Sequence, residues 1–88
     1  MHLNVKGCFD GLGSYMETGK IIVKGNLGFF TGYMMTGGSI IVNGNTRGYT
    51  GQSMQKGLIT VNGFIGYEPG AFAHGGEIYN KERRVFPK

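Results

Sequence analysis

Apolar residues recur along this chain with two periods at once. Over short stretches the positions that are apolar in every copy alternate, as in "GKIIVKGN" (Gly19–Asn26), "GSIIVNGN" (Gly38–Asn45) and "GLITVNGF" (Gly57–Phe64). That is the period of a strand with one face buried. The three stretches also superpose on one another after a shift of 19 residues. The columns that persist are Gly19/Gly38/Gly57, Ile21/Ile40/Ile59, Val23/Val42/Val61, Gly25/Gly44/Gly63 and Gly32/Gly51/Gly70, with Met35/Met54/Ala73 further on. A degenerate first copy, "HLNVKG" (His2–Gly7), fits with a shift of 18, as if one residue were missing from its turn. A last copy starts at Gly76 and breaks where Asn80 replaces the valine.

The pattern predicts strands over residues 2–6, 20–24, 39–43, 58–62 and 77–79. Leu3, Ile21, Ile40 and Ile59, with Val5, Val23, Val42 and Val61, never turn polar, whereas the interleaved column runs Asn4, Ile22, Ile41, Thr60. The first set therefore points inward and the second outward, which predicts an apolar interior. After each strand comes a G-x-x-G-x-x-x-G bend, as Gly25/Gly28/Gly32 and Gly63/Gly66/Gly70; the middle copy has Gly44, Arg47 and Gly51. These repeat glycines suit positive-φ or sterically tight corners. A unit this short cannot bury its apolar side alone, and stacking copies into a parallel β-helix does so. Asn43-Gly44 and Asn62-Gly63 are also good hairpin turns, but an antiparallel meander gives no reason for whole 19-residue units, corners included, to recur in register.

Composition agrees with an all-β, turn-rich chain: 18 glycines against 2 prolines in 88 residues, without a collagen-like every-third spacing. The net charge of +4 sits mostly at the end. Residues 81–88 hold four basic side chains against one acidic, and residues 1–80 hold five against four. The chain thus divides into one β-helix domain, 1–80, and a basic tail, 81–88. A short basic tail is read as a solvated or partner-docking end rather than a nucleic-acid site, and the stretch from Asn80 to Lys88 is expected to cover the C-terminal edge of the stack or to reach a neighbour. The longest apolar runs are far too short to span a membrane.

The stretch "GNLGFFTGYMMTGGSIIVNGN" followed by "GYTGQSMQKGLITVNG" resembles the G-x-x-G-x-x-x-G repeat domain at the C-terminus of the glutamate synthase large subunit. The same repeat occurs in the β-helical component of formylmethanofuran dehydrogenase. The resemblance is strong over residues 19–75, partial over 1–18 and absent from the tail. It implies a short right-handed parallel β-helix of about four coils that acts as scaffold and as a contact between subunits, while other domains or subunits carry the chemistry. It departs from those families in having fewer coils, in Arg47, and in holding none of their amidotransferase, flavin, iron–sulfur or molybdopterin regions within the 88 residues.

The residues point the same way. "GSYMETGK" (Gly13–Lys20) superficially resembles a phosphate-binding loop, but five residues separate its glycines and Ile21 stands where a magnesium-binding hydroxyl is needed. His2 and His74 lie at opposite ends of the repeat with no ligand partner at metal spacing. Cys8 is a lone thiol, expected to be buried or idle, and fits a reducing cytoplasm. Asp10, Glu17, Glu68 and Glu77 occupy different columns, so no acid–base pair is implied. The Met16/Met35/Met54 column fills core, and Phe29, Phe30, Tyr33 and Tyr49 at the corners cover core or a partner. No catalytic, cofactor-binding or metal-binding residue is expected, and no cofactor. The expected function is that of a non-catalytic assembly module of an oxidoreductase complex, with neither nucleic acid nor membrane as partner. The alternatives are a self-assembling homo-oligomer or a binder of a small anion at the glycine corners. Ile22 and Ile41, apolar on the outward side, are the candidate interface, together with Arg83 and Arg84 of the tail.

Overall fold

The computed structural model describes residues 1–7 and 9–88, so the reading of Cys8 lies outside the described residues. Among these, six strands and no helix are formed: β1 (His2–Asn4), β2 (Lys20–Lys24), β3 (Ser39–Asn43), β4 (Leu58–Val61), β5 (Glu77–Asn80) and β6 (Arg83–Phe86). They make one sheet in sequence order, parallel from β1 to β5 and antiparallel between β5 and β6. The fold is a β-solenoid of about four turns, as the repeat predicts. From β2 to β5 successive strands pair at an offset of 19 residues, so Ile21, Ile40, Ile59 and Ile78 form one column and Val23, Val42 and Val61 another.

The alternation within each strand decides what is buried. Val23, Ile40, Val42, Ile59, Val61 and Ile78 are fully enclosed, while Lys20, Lys24 and Asn43 are exposed. Met35 and Met54 complete the core at the corners, and Met16 packs half-buried against it. The polar column Glu17, Thr36, Gln55 and His74 is exposed throughout. Asn43 and Asn62 do not turn hairpins. They stack in a ladder, with Asn62 Nδ2 donating to Asn43 Oδ1 at 2.8 Å. Asn80 closes the valine column by turning its amide to the carbonyls of Val61 (3.0 Å) and Gly63 (2.8 Å).

Each corner is a pair of consecutive turns that repeats in every coil. In the second coil Tyr33 N–H donates to Phe30 C=O and Met35 N–H to Gly32 C=O, both at 3.2 Å. The third residue of each turn, Gly32 and then Met34, has positive φ (73° and 54°), the mark of a type II turn. Gly32 answers a second need as well, because a Cβ there would overlap Cδ1 of Ile59, on the second strand after it. The same holds for Gly13 with Ile40 and for Gly51 with Ile78. Each isoleucine therefore reaches through the stack into the hollow left by a glycine 27 residues earlier, which is why the two columns recur together.

Two expectations are corrected. The first strand is not offset by 18: Leu3 pairs with Val23 and His2 with Ile22, an offset of 20, whereas Phe9 and Gly28 are already offset by 19 at the corner. The first coil thus has one residue more between Val5 and Phe9, not one fewer. A slip of two keeps the same face inward, so Leu3 and Val5 still pack on the core. Second, the interior is not purely apolar, because Thr31, Thr46 and Thr50 are all buried. Thr50 Oγ1 bonds Thr46 Oγ1 at 3.0 Å, while Thr31 Oγ1 has no partner.

The chain turns back after β5, and β6 lies along what would otherwise be the open C-terminal edge of the sheet. Arg83 and Arg84 charge this new edge, a common way of discouraging further strand pairing.

Candidate partner-binding surface

Two surfaces stand out. The first is the outer face of the sheet. Strand alternation turns Ile22 and Ile41 outward, and β2–β3 pairing sets them side by side; the column then runs through Thr60 and Tyr79 to Arg84. Leu58, the neighbouring outward residue of β4, is 37% exposed. Arg84 reaches Glu77 at 3.9 Å with both side chains half-exposed, a contact of little energetic weight. Arg83 pairs with Asn80 and has the opposite parity. The structure therefore brings Ile22, Ile41 and Arg84 to one face and leaves Arg83 off it.

The second surface is the corner. Aromatic rings from successive coils touch in an unbroken series: Tyr15 edge-on to Tyr33 (5.7 Å between centroids), Tyr33 to Phe30 (6.1 Å), Phe30 stacked on Tyr49 (5.5 Å, 11° between planes), and Tyr49 edge-on to Tyr67 (5.2 Å). Phe29 joins the series at Phe30 and at Tyr67. Phe30 and Tyr49 hold φ near +64° and +63°, a conformation that costs a bulky L-residue roughly 1–2 kcal/mol. Gly48 occupies the place that Phe29 and Tyr67 hold in neighbouring coils, and a Cβ there would meet the Tyr67 ring at 2.7 Å. The missing side chain lets Tyr67 lean inward over it.

Searches of family models, curated proteins and solved structures found no match.

Of the repeat glycines, Gly25, Gly32, Gly51 and Gly70 have positive φ, whereas at Gly28, Gly44, Gly63 and Gly66 an added Cβ would run into the coil below. The corner N–H groups of Gly28, Gly32, Gly51 and Gly70 all donate to carbonyls of the preceding coil. Beside the ridge lies a groove of about 370 Å³, lined among others by Asn26, Phe29, Asn45, Arg47, Phe64 and Tyr67. Of these, the sequence flags Arg47 only as a break in the glycine column. The asparagines carry no signal until stacking places Asn26 beneath Asn45. Among the described residues, no group of three or more His, Cys, Asp or Glu is placed to hold a metal ion, and no helix is long and apolar enough to cross a membrane.

Proposed function

We propose that this chain is a non-catalytic structural module that holds subunits together through the outer face of its sheet; the β-helix repeats that it resembles, in glutamate synthase and formylmethanofuran dehydrogenase, serve as scaffold and subunit contact. The observation that carries this reading is the pairing of Ile22 with Ile41 on adjacent rungs, both outward. A strand face meant only for water would repeat the polar choices found at Asn4 and Thr60. The strip continues to the cation of Arg84, which suits a partner offering an apolar patch with an acidic margin. Its uncharged centre is also compatible with a second copy of itself, so a homo-oligomer is the form in which the face is covered without another chain. A cytoplasmic setting belongs to this reading and rests on the single cysteine.

Native mass spectrometry of the wild type and of Ile22→Lys/Ile41→Lys, each purified alone and from source extract, tests it. The wild type is expected as an oligomer or as part of a larger complex, and the double variant as a folded monomer. A wild type that is monomeric and partnerless in both preparations, or a double variant that assembles equally well, overturns the proposal.

A further inference from the structure

The groove beside the aromatic ridge has a chemistry of its own, separate from the sheet face. Phe29, Phe64 and Tyr67 supply its apolar walls, and Asn26, Asn45 and Arg47 its polar groups. The oxygen of each amide is engaged once: Asn26 Oδ1 accepts the Asn45 N–H at 2.9 Å and Asn45 Oδ1 accepts the Phe64 N–H at 2.7 Å. Each asparagine is thereby fixed, with both N–H donors of its NH2 group still open to a ligand. The Arg47 guanidinium carbon stands 5.9 Å from the centre of the Phe29 ring. Among the described residues the one salt bridge is Arg84–Glu77, so Arg47 has no carboxylate partner, and no acidic side chain lines the groove.

The side-chain groups of these three residues that make no hydrogen bond are thus two amide NH2 groups and one guanidinium, all donors and the last cationic, set against aromatic walls. The geometry points to a binding site for a small aromatic carboxylate, with its ring against Phe29, Phe64 and Tyr67 and its carboxylate on Arg47. A carboxylate fits better than a phosphate because its single negative charge is matched by the single guanidinium, which holds it by two parallel hydrogen bonds, whereas a phosphate dianion would keep an uncompensated charge. Asn26 and Asn45 then donate to whichever oxygen Arg47 leaves open. The arginine also stands where both adjacent coils have glycine, Gly28 and Gly66. The backbone at this corner accepts glycine, so the side chain can be removed without disturbing the stack.

Titration of the 15N-labelled protein with phenylacetate, followed by NMR, tests the site. Saturable shifts at Phe29, Asn45, Arg47 and Tyr67 are expected, with a Kd on the order of 1 mM for so small a ligand. Arg47→Gly and Arg47→Gln in the protein, and the neutral phenylacetamide as probe, should each weaken binding by roughly tenfold or more, the worth of a charged hydrogen bond. Arg84→Gln should leave it unchanged. Any of the following overturns the proposal: no saturation up to ~20 mM, well beyond that Kd; wild-type affinity in both Arg47 variants; shifts confined to residues 81–88; or inorganic phosphate binding at the same signals as tightly as phenylacetate.

Discussion

Phe86 fills at Gly70 the place that Ile78 fills at Gly51. In both cases a Cβ on the glycine would overlap the ring or methyl group of the partner, and Phe86 pairs with Ile78 across β5 and β6. The isoleucine column, which would otherwise end open at β5, is closed by a residue that arrives from the opposite direction. The solenoid thus makes its own C-terminal cap, one of the devices a short repeat stack needs for solubility.

Removing that cap should be costly. Phe86→Ala leaves a void against Gly70 and uncovers Ile78, with an expected loss of about 2–4 kcal/mol, below the full range for a buried Phe because this ring is only half-buried. Truncation after Asn80 should lose at least as much and leave β5 as an unpaired edge prone to association. Urea denaturation followed by circular dichroism, with light scattering on the truncated form, checks both. Midpoints within error of wild type would mean that β6 is peripheral.

The two faces of β3 should respond in opposite ways. Val42 is fully enclosed between Val23 and Val61, and Val42→Asp puts a carboxylate there without a partner, at a cost of several kcal/mol. Ile41, one residue earlier, faces outward, and Ile41→Asp should cost under about 1 kcal/mol in the isolated chain. Chemical denaturation of the pair decides it, and equal losses would contradict the alternation.

That alternation is the part of the fold most legible in the sequence, because period 2 nested in period 19 names both the inward residues and their stacking partners. Ile21, Ile40 and Ile59 are placed this way without ambiguity. The register of β1 is not legible in the same way: "HLNVKG" satisfies the inward pattern at an offset of 18 or of 20, and the choice is made by the corner length between Val5 and Phe9. Buried threonines escape because corner side chains follow turn dihedrals rather than alternation, so nothing in the order of residues marks Thr31 and Thr50 as internal. The outward pair Ile22 and Ile41 can be read directly. The groove cannot, since Phe29, Asn45 and Tyr67 meet only through coils 16 to 38 residues apart in sequence.

Those threonines give a prediction with opposite signs. Thr31 Oγ1 is buried without a partner, so Thr31→Val keeps the shape, removes an unsatisfied hydroxyl and should stabilise by about 1 kcal/mol. Thr50 Oγ1 is bonded to Thr46, so Thr50→Val strands the Thr46 hydroxyl and should destabilise by roughly 1–2 kcal/mol. The double variant Thr46→Val/Thr50→Val should recover most of that loss. Thermal and urea midpoints of the four proteins test the set, and a destabilised Thr31→Val would show that its hydroxyl is satisfied in solution.

The last prediction concerns the backbone under the aromatic ridge. At an ordinary strand or helix position glycine is less stable than alanine, because it has more freedom to lose. Tyr49 holds φ of +63°, where alanine pays the left-handed penalty and glycine does not. Both substitutions remove the stack on Phe30 and the edge contact to Tyr67, so the lost ring contacts cancel when the two variants are compared with each other. Tyr49→Gly should therefore be more stable than Tyr49→Ala by about 1 kcal/mol, with Tyr49→Asn between them, since asparagine tolerates this conformation better than alanine. Denaturation midpoints measured side by side check the order. Alanine above glycine would mean that the corner relaxes once the ring is gone, and that the left-handed turn is held by the aromatic stack rather than by the hydrogen bond from Tyr49 N–H to Tyr67 C=O at 2.9 Å.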